Sequence, residues 1–557
     1  MGFAMTQLEQ TLTKQVEALK EKVVLLSQSV ETLTEEKTHF RALYLDMIEL
    51  NKKLERGLLG RKAERLPEND RQLTMQILET LLSELGESSD SEADPEPKKQ
   101  HIGAHTRNKP TGRKPFPENL PRVEFEVTPP EVLAQGTDAF DKIGEETSEV
   151  IERRPASWVV VVVKKLAYKA KAPNENGTHA IVCGHTPSLP IEKGMAGPGL
   201  LADTLVKRWQ DHLPLHRQQS IFAREGILLS KSTMCGWHEK LHHLCRPVVD
   251  AMWHDAMASP YLCTDATGVL VMKKEQCKWS HFFVLVAPEK HVLFQYTKRH
   301  DKKAVDKILS GYQGYLVCDA HSVYDHLYIG GDILEVACWA HCRRYFFKAL
   351  SSDPERARQA LSWISALFRL ERKTNGKDSR EKRRHRQEKS KRLVEQFFAW
   401  CKAEGPQVIK DTPIYKAIQY AQNQRQALSR FLDDGRLPIH NNISELQLRR
   451  QVIGRKNWIF CGSDDGAEVN TTFVSLLASC QMHGIEPWSY LRDLFCLLPN
   501  WPATRALELA PAYWTETVQT PEARQVLEHH VFRAISMIED SKIFDGKSVG
   551  GVKIAVR

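Results

Sequence analysis

Apolar residues near the start of the chain recur in alternating steps of four and three: Leu12, Val16, Leu19, Val23, Leu26, Val30 and Leu33, then Phe40, Tyr44 and Met47, with Lys37 interrupting the series. This spacing puts them on one seam of a long helix, as in a coiled coil. The same seam would serve an amphipathic helix packed on its own protein. The pattern then lapses: residues 84–98 are acidic and contain Ser and Pro, and residues 98–114 are basic with Gly and Pro. Such a composition cannot bury enough apolar surface to fold alone, so a linker is predicted.

Strand-like runs follow. Arg122-Val-Glu-Phe-Glu-Val127 and Trp158-Val-Val-Val-Val-Val163 predict a small β-rich domain. Between Pro214 and Leu241 the pattern reads helix, turn, helix, with Leu215, Ile221 and Phe222 on the first helix, a turn at Glu225-Gly226, and Ser230 or Ser232 capping a second helix that bears Met234, Trp237 and Leu241. Three short strands come next, Tyr261–Met272, His281–Ala287 and His291–Thr297, with a polar turn at Lys273–Lys278 and another at Pro288–Lys290. A helix-compatible stretch, Lys302–Ser310, leads to the strand Gly314–Ala320 and, after another crossover, to Ile333–Trp339. The order β-β-β-α-β-α-β predicts an α/β sheet of the ribonuclease-H type. Helical patterns at Ala349–Glu371 and Leu393–Ala403 flank a basic run, Arg380–Arg392. A further helix passes through Leu446, Leu448 and Val452 with Asn442 or Ser444 as its cap. Gly454 and Gly462 predict a turn on each side of a short strand, and the region beyond about residue 500 has helical stretches without identifiable chemistry.

Composition narrows the class. The chain has 557 residues, enough for several domains, and a formal charge of +8 that is unevenly spread. In the basic run, eight Lys and Arg face two acids. A basic chain of this size favours nucleic acid over acidic small molecules, since neutralising phosphates releases counterions. No apolar run reaches membrane-spanning length and no signal-like segment opens the chain, so a cytoplasmic location without membrane contact is expected. The 12 cysteines lack a regular framework and are expected to be reduced thiols.

Three acids carry the candidate chemistry. Asp265 is a lone charge in an apolar strand, Asp319 ends the fourth strand, and Glu445 opens the helix after the basic run, with Arg449 one turn further on. In the predicted sheet Asp265 and Asp319 would converge. Three carboxylates suit hard divalent cations, which prefer oxygen ligands and keep several waters. One ion would activate an attacking water or 3′-hydroxyl, and a second, about 3.5–4 Å away, would stabilise the leaving oxygen.

The residues also carry a family resemblance. His440-Asn-Asn-Ile-Ser-Glu-Leu-Gln-Leu-Arg-Arg450 and Gly454-Arg-Lys-Asn-Trp-Ile-Phe-Cys-Gly-Ser463 resemble the signatures of IS66-type transposases, which are DDE transposases. Supporting segments are Asp319-Ala-His-Ser-Val-Tyr324, Cys338-Trp-Ala-His-Cys-Arg-Arg-Tyr-Phe346 and Pro214-Leu-His-Arg217 through Trp237. His440 stands where the family usually has Asp, and His321 where it commonly has Tyr. The resemblance implies Asp265, Asp319 and Glu445 as catalytic and metal-binding acids, with Mg2+ or Mn2+ as cofactor.

It further implies double-stranded DNA as partner, both element ends and target, self-association through the N-terminal coiled coil, and small accessory proteins of the element. A bacterial-type, nucleoid-associated location goes with this. Candidate DNA contacts are Lys231, Ser232, Thr233 and His238 on the second helix of the helix-turn-helix; Arg383 and Arg384 in the basic run; and Arg449, Arg455, Lys456 and Trp458 after the third acid, with Trp458 stacking on a base. Each has a plainer reading: a helical hairpin joining domains, a solvated charged face, and a core Trp among surface arginines. Similar transposases often place two Cys-x-x-Cys pairs in the β-rich region. Here Cys183 and His185 are too few for a tetrahedral site, so no zinc is expected there or at Cys338, His341 and Cys342.

The resulting expectation is a multidomain α/β protein. It comprises a coiled-coil region (1–80), a charged linker (81–119), a β-rich zinc-finger-like domain without its cysteines (120–190) and a helix-turn-helix region (191–250). A ribonuclease-H-like core in two parts (251–345 and 435–495) follows, split by a helical insertion (346–434), and a C-terminal tail (496–557) completes the chain. The expected activity is cleavage at the ends of a mobile element and joining of the 3′-hydroxyl to target DNA. The alternatives are a catalytically inactive DNA-binding relative and a nuclease of the same fold.

Overall fold

The computed structural model describes residues 19–42 and 122–537 apart from breaks at 155–156, 174–175, 177, 185–187 and 275, together with positions 17, 44, 47 and 116 and two terminal strands. The linker and most of the predicted coiled-coil region lie outside the described residues. The described residues form a mixed α/β protein with two sheets. It divides into two compact units, one of Met1–Gly112, Cys342–Lys373 and Lys389–Asn423, the other of Arg113–His341, Thr374–Glu388 and Gln424–Arg557.

In the first unit, residues 19–42 form a helix, and Pro354–Arg372, Lys391–Glu404 and Pro413–Asn423 form three more. Phe346, Trp363, Phe397 and Trp400 pack ring against ring, Trp363 and Trp400 with centroids 5.4 Å apart. The N-terminal helix is fastened near its end, where Arg41 pairs with Asp411 and the Tyr44 hydroxyl donates to the Ser352 carbonyl at 3.0 Å.

In the second unit, the valine run decides the first sheet. Strands β1 (Arg122–Val127), β2 (Phe140–Arg154), β3 (Ser157–Pro173) and β4 (His179–Cys183) all gather on β3, which runs parallel to β1 and antiparallel to β2 and β4. Val159 to Val163 are all buried, which explains an unbroken apolar run instead of alternation: this strand has cover on both faces. Val531, Phe532 and Ile535 of the helix Val531–Met537 pack into the same core.

The second sheet is built from β5 (Tyr261–Lys273), β6 (Gln276–Ala287), β7 (His291–Thr297), β8 (Gly314–Cys318) and β9 (Ile333–Ala337), in the order β7-β6-β5-β8-β9. The first three form an antiparallel meander, and β8 and β9 run parallel to β5. The edge strand β7 is closed by the helix Asp464–Met482, whose Ser475 and Ser479 hydroxyls accept from the amides of Phe294 (2.8 Å) and Val292 (3.0 Å).

Three local expectations need correction. The turn predicted over Lys273–Lys278 is shorter, because Met272↔Cys277 and Lys273↔Gln276 extend the β5–β6 ladder. The crossover from β8 to β9 is made by a single 3-10 turn, Asp325–Tyr328, since so short a connection cannot hold a full helix. Residues 496–557 are not a separate tail. The strands β10 (Ser548–Val549) and β11 (Val552–Val556) extend the first sheet, β11 pairing antiparallel to β1 with Val123 opposite Val556.

Candidate active site

Asp265 sits in the middle of β5, opposite Val284 of β6. On its other side the parallel ladder matches Tyr261 with Tyr315, Leu262 with Leu316 and Cys263 with Val317. Carried two residues further, that register sets Asp265 opposite Asp319, just past the end of β8. The Asp319 carboxylate accepts from the His321 amide at 3.2 Å. Between them Ala320 takes φ 58°, a left-handed conformation that a residue with a β-carbon holds only when its surroundings impose it. Tyr324 reports on both acids. Burial raises its phenol well above its ordinary pKa, and the charges of Cys318, Asp319 and Asp265 push in the same direction, against a hydrogen bond with Thr264.

Glu445 lies on the helix Asn442–Trp458, which packs along β5. The residue before that helix, Asn441, is fully buried and fastens the helix start to the sheet. Its side-chain amide donates to the Thr264 carbonyl at 2.8 Å, and its backbone N–H donates to the Cys338 sulfur at 3.2 Å. The Ser444 hydroxyl donates to the Asn441 carbonyl oxygen at 2.8 Å, and the Glu445 amide donates to the Asn441 backbone carbonyl at 3.3 Å. The cap is therefore Asn441, not Asn442 or Ser444. Glu445 lies in the first turn, where the helix dipole favours an anion, and one of its oxygens is 3.5 Å from Nε2 of His341. Burial pushes the Cys338 thiol up to about 11, with the Glu445 charge adding to the effect, so this sulfur is an inert neighbour.

Among the described residues no group of three or more His, Cys, Asp or Glu is arranged to hold a metal ion by itself. The donors this site offers are carboxylate oxygens. They suit a hard divalent cation that completes its shell with water and substrate phosphate instead of a closed protein cage.

The flanking residues divide. Arg449 and Lys456 are exposed, whereas Arg455 donates to the Thr267 hydroxyl at 3.1 Å and to the Gly268 carbonyl, fastening the helix to β5. The short strand expected between Gly454 and Gly462 does not form, because the helix continues to Trp458 and ends at Ile459, which takes φ 63°. Gly454 is a packing glycine, since a β-carbon there would meet Trp458 Nε1 at 2.7 Å. Trp458 itself, partly buried, packs against the cluster of Val269, Val271, Phe282, Tyr296, Cys461 and Ala467, as the plainer reading of a core Trp expects.

The helix Lys231–Ala256 follows Leu215–Arg224 across a turn, capped by Ser230, whose hydroxyl accepts from the Thr233 amide at 3.0 Å. Lys231 and Ser232 are exposed and Thr233 is half-buried. His238 cannot face a groove: it is buried, its Nε2 3.1 Å from the Thr204 hydroxyl, and burial lowers its pKa to about 3. Arg383 and Arg384 are exposed on the helix Ser379–His385.

Three family models match, described as Transposase IS66 family over residues 193–469, Transposase C of IS166 homeodomain over 47–125, and IS66 C-terminal element over 475–512. The chain belongs to the IS66 transposase family. Similar relatives are the uncharacterized proteins y4qI and y4hP of Sinorhizobium fredii, 30% and 28% identical over 485 and 489 residues, each match covering 83% of this chain and 87% of the relative. The sequence of this IS66-family chain nominates the three acids but gives no role to Asn441 or Tyr324, and it considers His341 only as a zinc ligand. Asn441 carried a usable signal, a side-chain amide four residues before the helical acid.

Proposed function

We propose that this chain cuts DNA at the ends of a mobile element and joins the freed 3′-hydroxyl to target DNA, using Asp265, Asp319 and Glu445 in a ribonuclease-H-like core. The carrying observation is the register that sets Asp265 opposite Asp319, with Glu445 one helical turn from the Asn441–Thr264 tether. The strand order, three antiparallel strands followed by two parallel to the first, supports the core assignment. Magnesium or manganese, held by the three carboxylates, would supply Lewis-acid activation of the attacking oxygen and stabilisation of the leaving one. The chain's own work is positioning. Asn441 fixes the third acid against the strand of the first, His341 flanks Glu445, and Arg449 and Lys456 offer positive charge to the scissile strand.

Lys231, Ser232 and Thr233 at the start of the second helix, and Arg383 and Arg384 in the basic run, are the remaining DNA contacts of this reading. Self-association runs through the N-terminal helix, whose apolar seam is exposed. Among the described residues no helix is long and apolar enough to cross a membrane. The deciding experiment is strand transfer by the purified chain on DNA bearing its own terminal repeats, with Asp265→Asn, Asp319→Asn and Glu445→Gln alongside. Each variant loses cleavage if the reading holds. Wild-type cleavage in all three sinks the site, cleavage without joining points to a nuclease, and binding without either points to an inactive relative.

A further inference from the structure

The basic run Arg380–Arg392 contains a residue that does not behave like its neighbours. Arg383 and Arg384 are exposed, but Arg386 is 1% exposed. It opens a π-helical turn, Arg386–Ser390, an irregularity that recurs at functional positions. A buried guanidinium must be held by acceptors, and three of them come from one stretch of chain. Nη1 donates to the carbonyls of Phe431 (2.7 Å) and Asp434 (2.9 Å), and Nη2 donates to that of Leu437 (2.9 Å). The neighbouring Gln387 amide donates to the Leu432 carbonyl at 2.9 Å. Gly435 lies so close to the start of the basic helix that a β-carbon would meet the Ser379 carbonyl oxygen at 1.8 Å.

The clasped stretch leads straight to the third acid. Beyond Leu437, the Ile439 carbonyl accepts from the Trp339 amide at 3.1 Å, Asn441 is fastened to β5, and Glu445 follows. Residues 374–388 belong to the unit that carries the acids, although both flanking segments belong to the other.

We propose that Arg386 is a positioning residue that locks the basic helix Ser379–His385 to the loop Phe431–Leu437, so that DNA held by Arg383 and Arg384 sets the placement of Glu445. The inference rests on the transposase reading for what Glu445 does, but the mechanical link can be measured separately. Lysine cannot replace Arg386, because one ammonium lacks the planar fork that reaches three carbonyls.

The test compares full-length wild type with Arg386→Lys, Gly435→Ala and Gln387→Ala. Gly435→Ala breaks the clasp from the loop side without touching a charge, and Gln387 is exposed, so its loss does not threaten folding. Two quantities are read on a duplex bearing the terminal repeat: cleavage rate at saturating DNA, and hydrogen exchange of residues 437–446 with and without DNA. The expected result is unchanged affinity, a cleavage rate lowered by about 10²-fold in Arg386→Lys and Gly435→Ala, as a misplacement of roughly 1 Å produces, and a smaller loss in Gln387→Ala. DNA-induced protection at 437–446 is lost in step. Cleavage that falls only as affinity falls, or protection that persists in the variants, overturns the proposal. If the wild type binds DNA without cutting it, the transposase reading fails, and exchange alone then decides the link: protection present in the wild type and lost in the variants upholds it, and any other pattern overturns it.

Discussion

Asn441 shows how one amide organises a site. It has no interaction with substrate in this reading, yet its side chain donates to β5 beside Asp265 and accepts from Ser444 beside Glu445. Removing it leaves the buried Thr264 carbonyl without that donor, a loss of about 1–3 kcal/mol. Asn441→Ala is therefore expected to lower the unfolding midpoint and to slow single-turnover cleavage by about 10²-fold. Asn441→Asp should be worse in cleavage, because a carboxylate cannot donate to Thr264 and adds a negative charge beside Glu445. Full cleavage by either variant would remove Asn441 from the mechanism.

His238 makes a second prediction at this scale. Burial holds its pKa at about 3, below the ordinary 6.5, so the unfolded chain binds the proton more tightly than the native one. Stability contributed by the neutral imidazole is present above pH 6.5 and is lost as pH falls below it toward 3. Near pH 5 this one group adds a slope of about 1.4 kcal/mol per pH unit to the unfolding free energy. Denaturant titrations between pH 4 and 5.5 should show that slope reduced by about this amount in His238→Gln; an unchanged slope would mean the imidazole is not held neutral.

At the scale of elements, the basic helix Ser379–His385 is expected to contribute phosphate contacts without sequence information. Each neutralised phosphate adds about 0.9 to the salt dependence of binding, so Arg383→Ala with Arg384→Ala should flatten the plot of log Kd against log salt by about 1.8. A slope equal to that of the wild type would return this run to a solvated face. Elements of this kind also mark what sequence can and cannot convey. The meander β5–β7 was legible because period-two alternation and turn residues are local signals. So was Asp265, a charge where the pattern calls for an apolar residue. The helix through Trp458 runs past the turn expected at Gly454, because Gly454 serves the close packing of Trp458 and only looks like a turn former. His238 was placed on an outward face by helix position alone, and the partners that bury it, Thr204, Trp209 and Phe473, come from distant parts of the chain. Arg386 was hidden for the same reason: a charge run gives no hint of which member meets three carbonyls. The strand β11 was illegible because its partner, Arg122–Val127, lies far away in the sequence.

At the scale of the whole molecule, the exposed seam of the N-terminal helix is the feature that a single chain does not account for. Leu19, Val23, Leu26, Val30 and Leu33 are 62%, 60%, 59%, 62% and 63% exposed, although their spacing is that of residues that interlock with a second helix. Leaving such a stripe in water is unfavourable, since each large aliphatic side chain gains roughly 1.5–3 kcal/mol on full burial. A second copy offers the matching stripe, and pairing two chains would let one assembly hold two element ends. Leu26→Lys with Val30→Lys places two charges in that seam on every chain, where burial would demand their desolvation. The expected outcome in sedimentation is a shift from dimer or larger species to monomer. Cleavage of a single end should persist while joining of paired ends is lost, because the acids lie in the other compact unit. An unaltered mass, or a monomer that still joins paired ends, would assign the pairing to another surface.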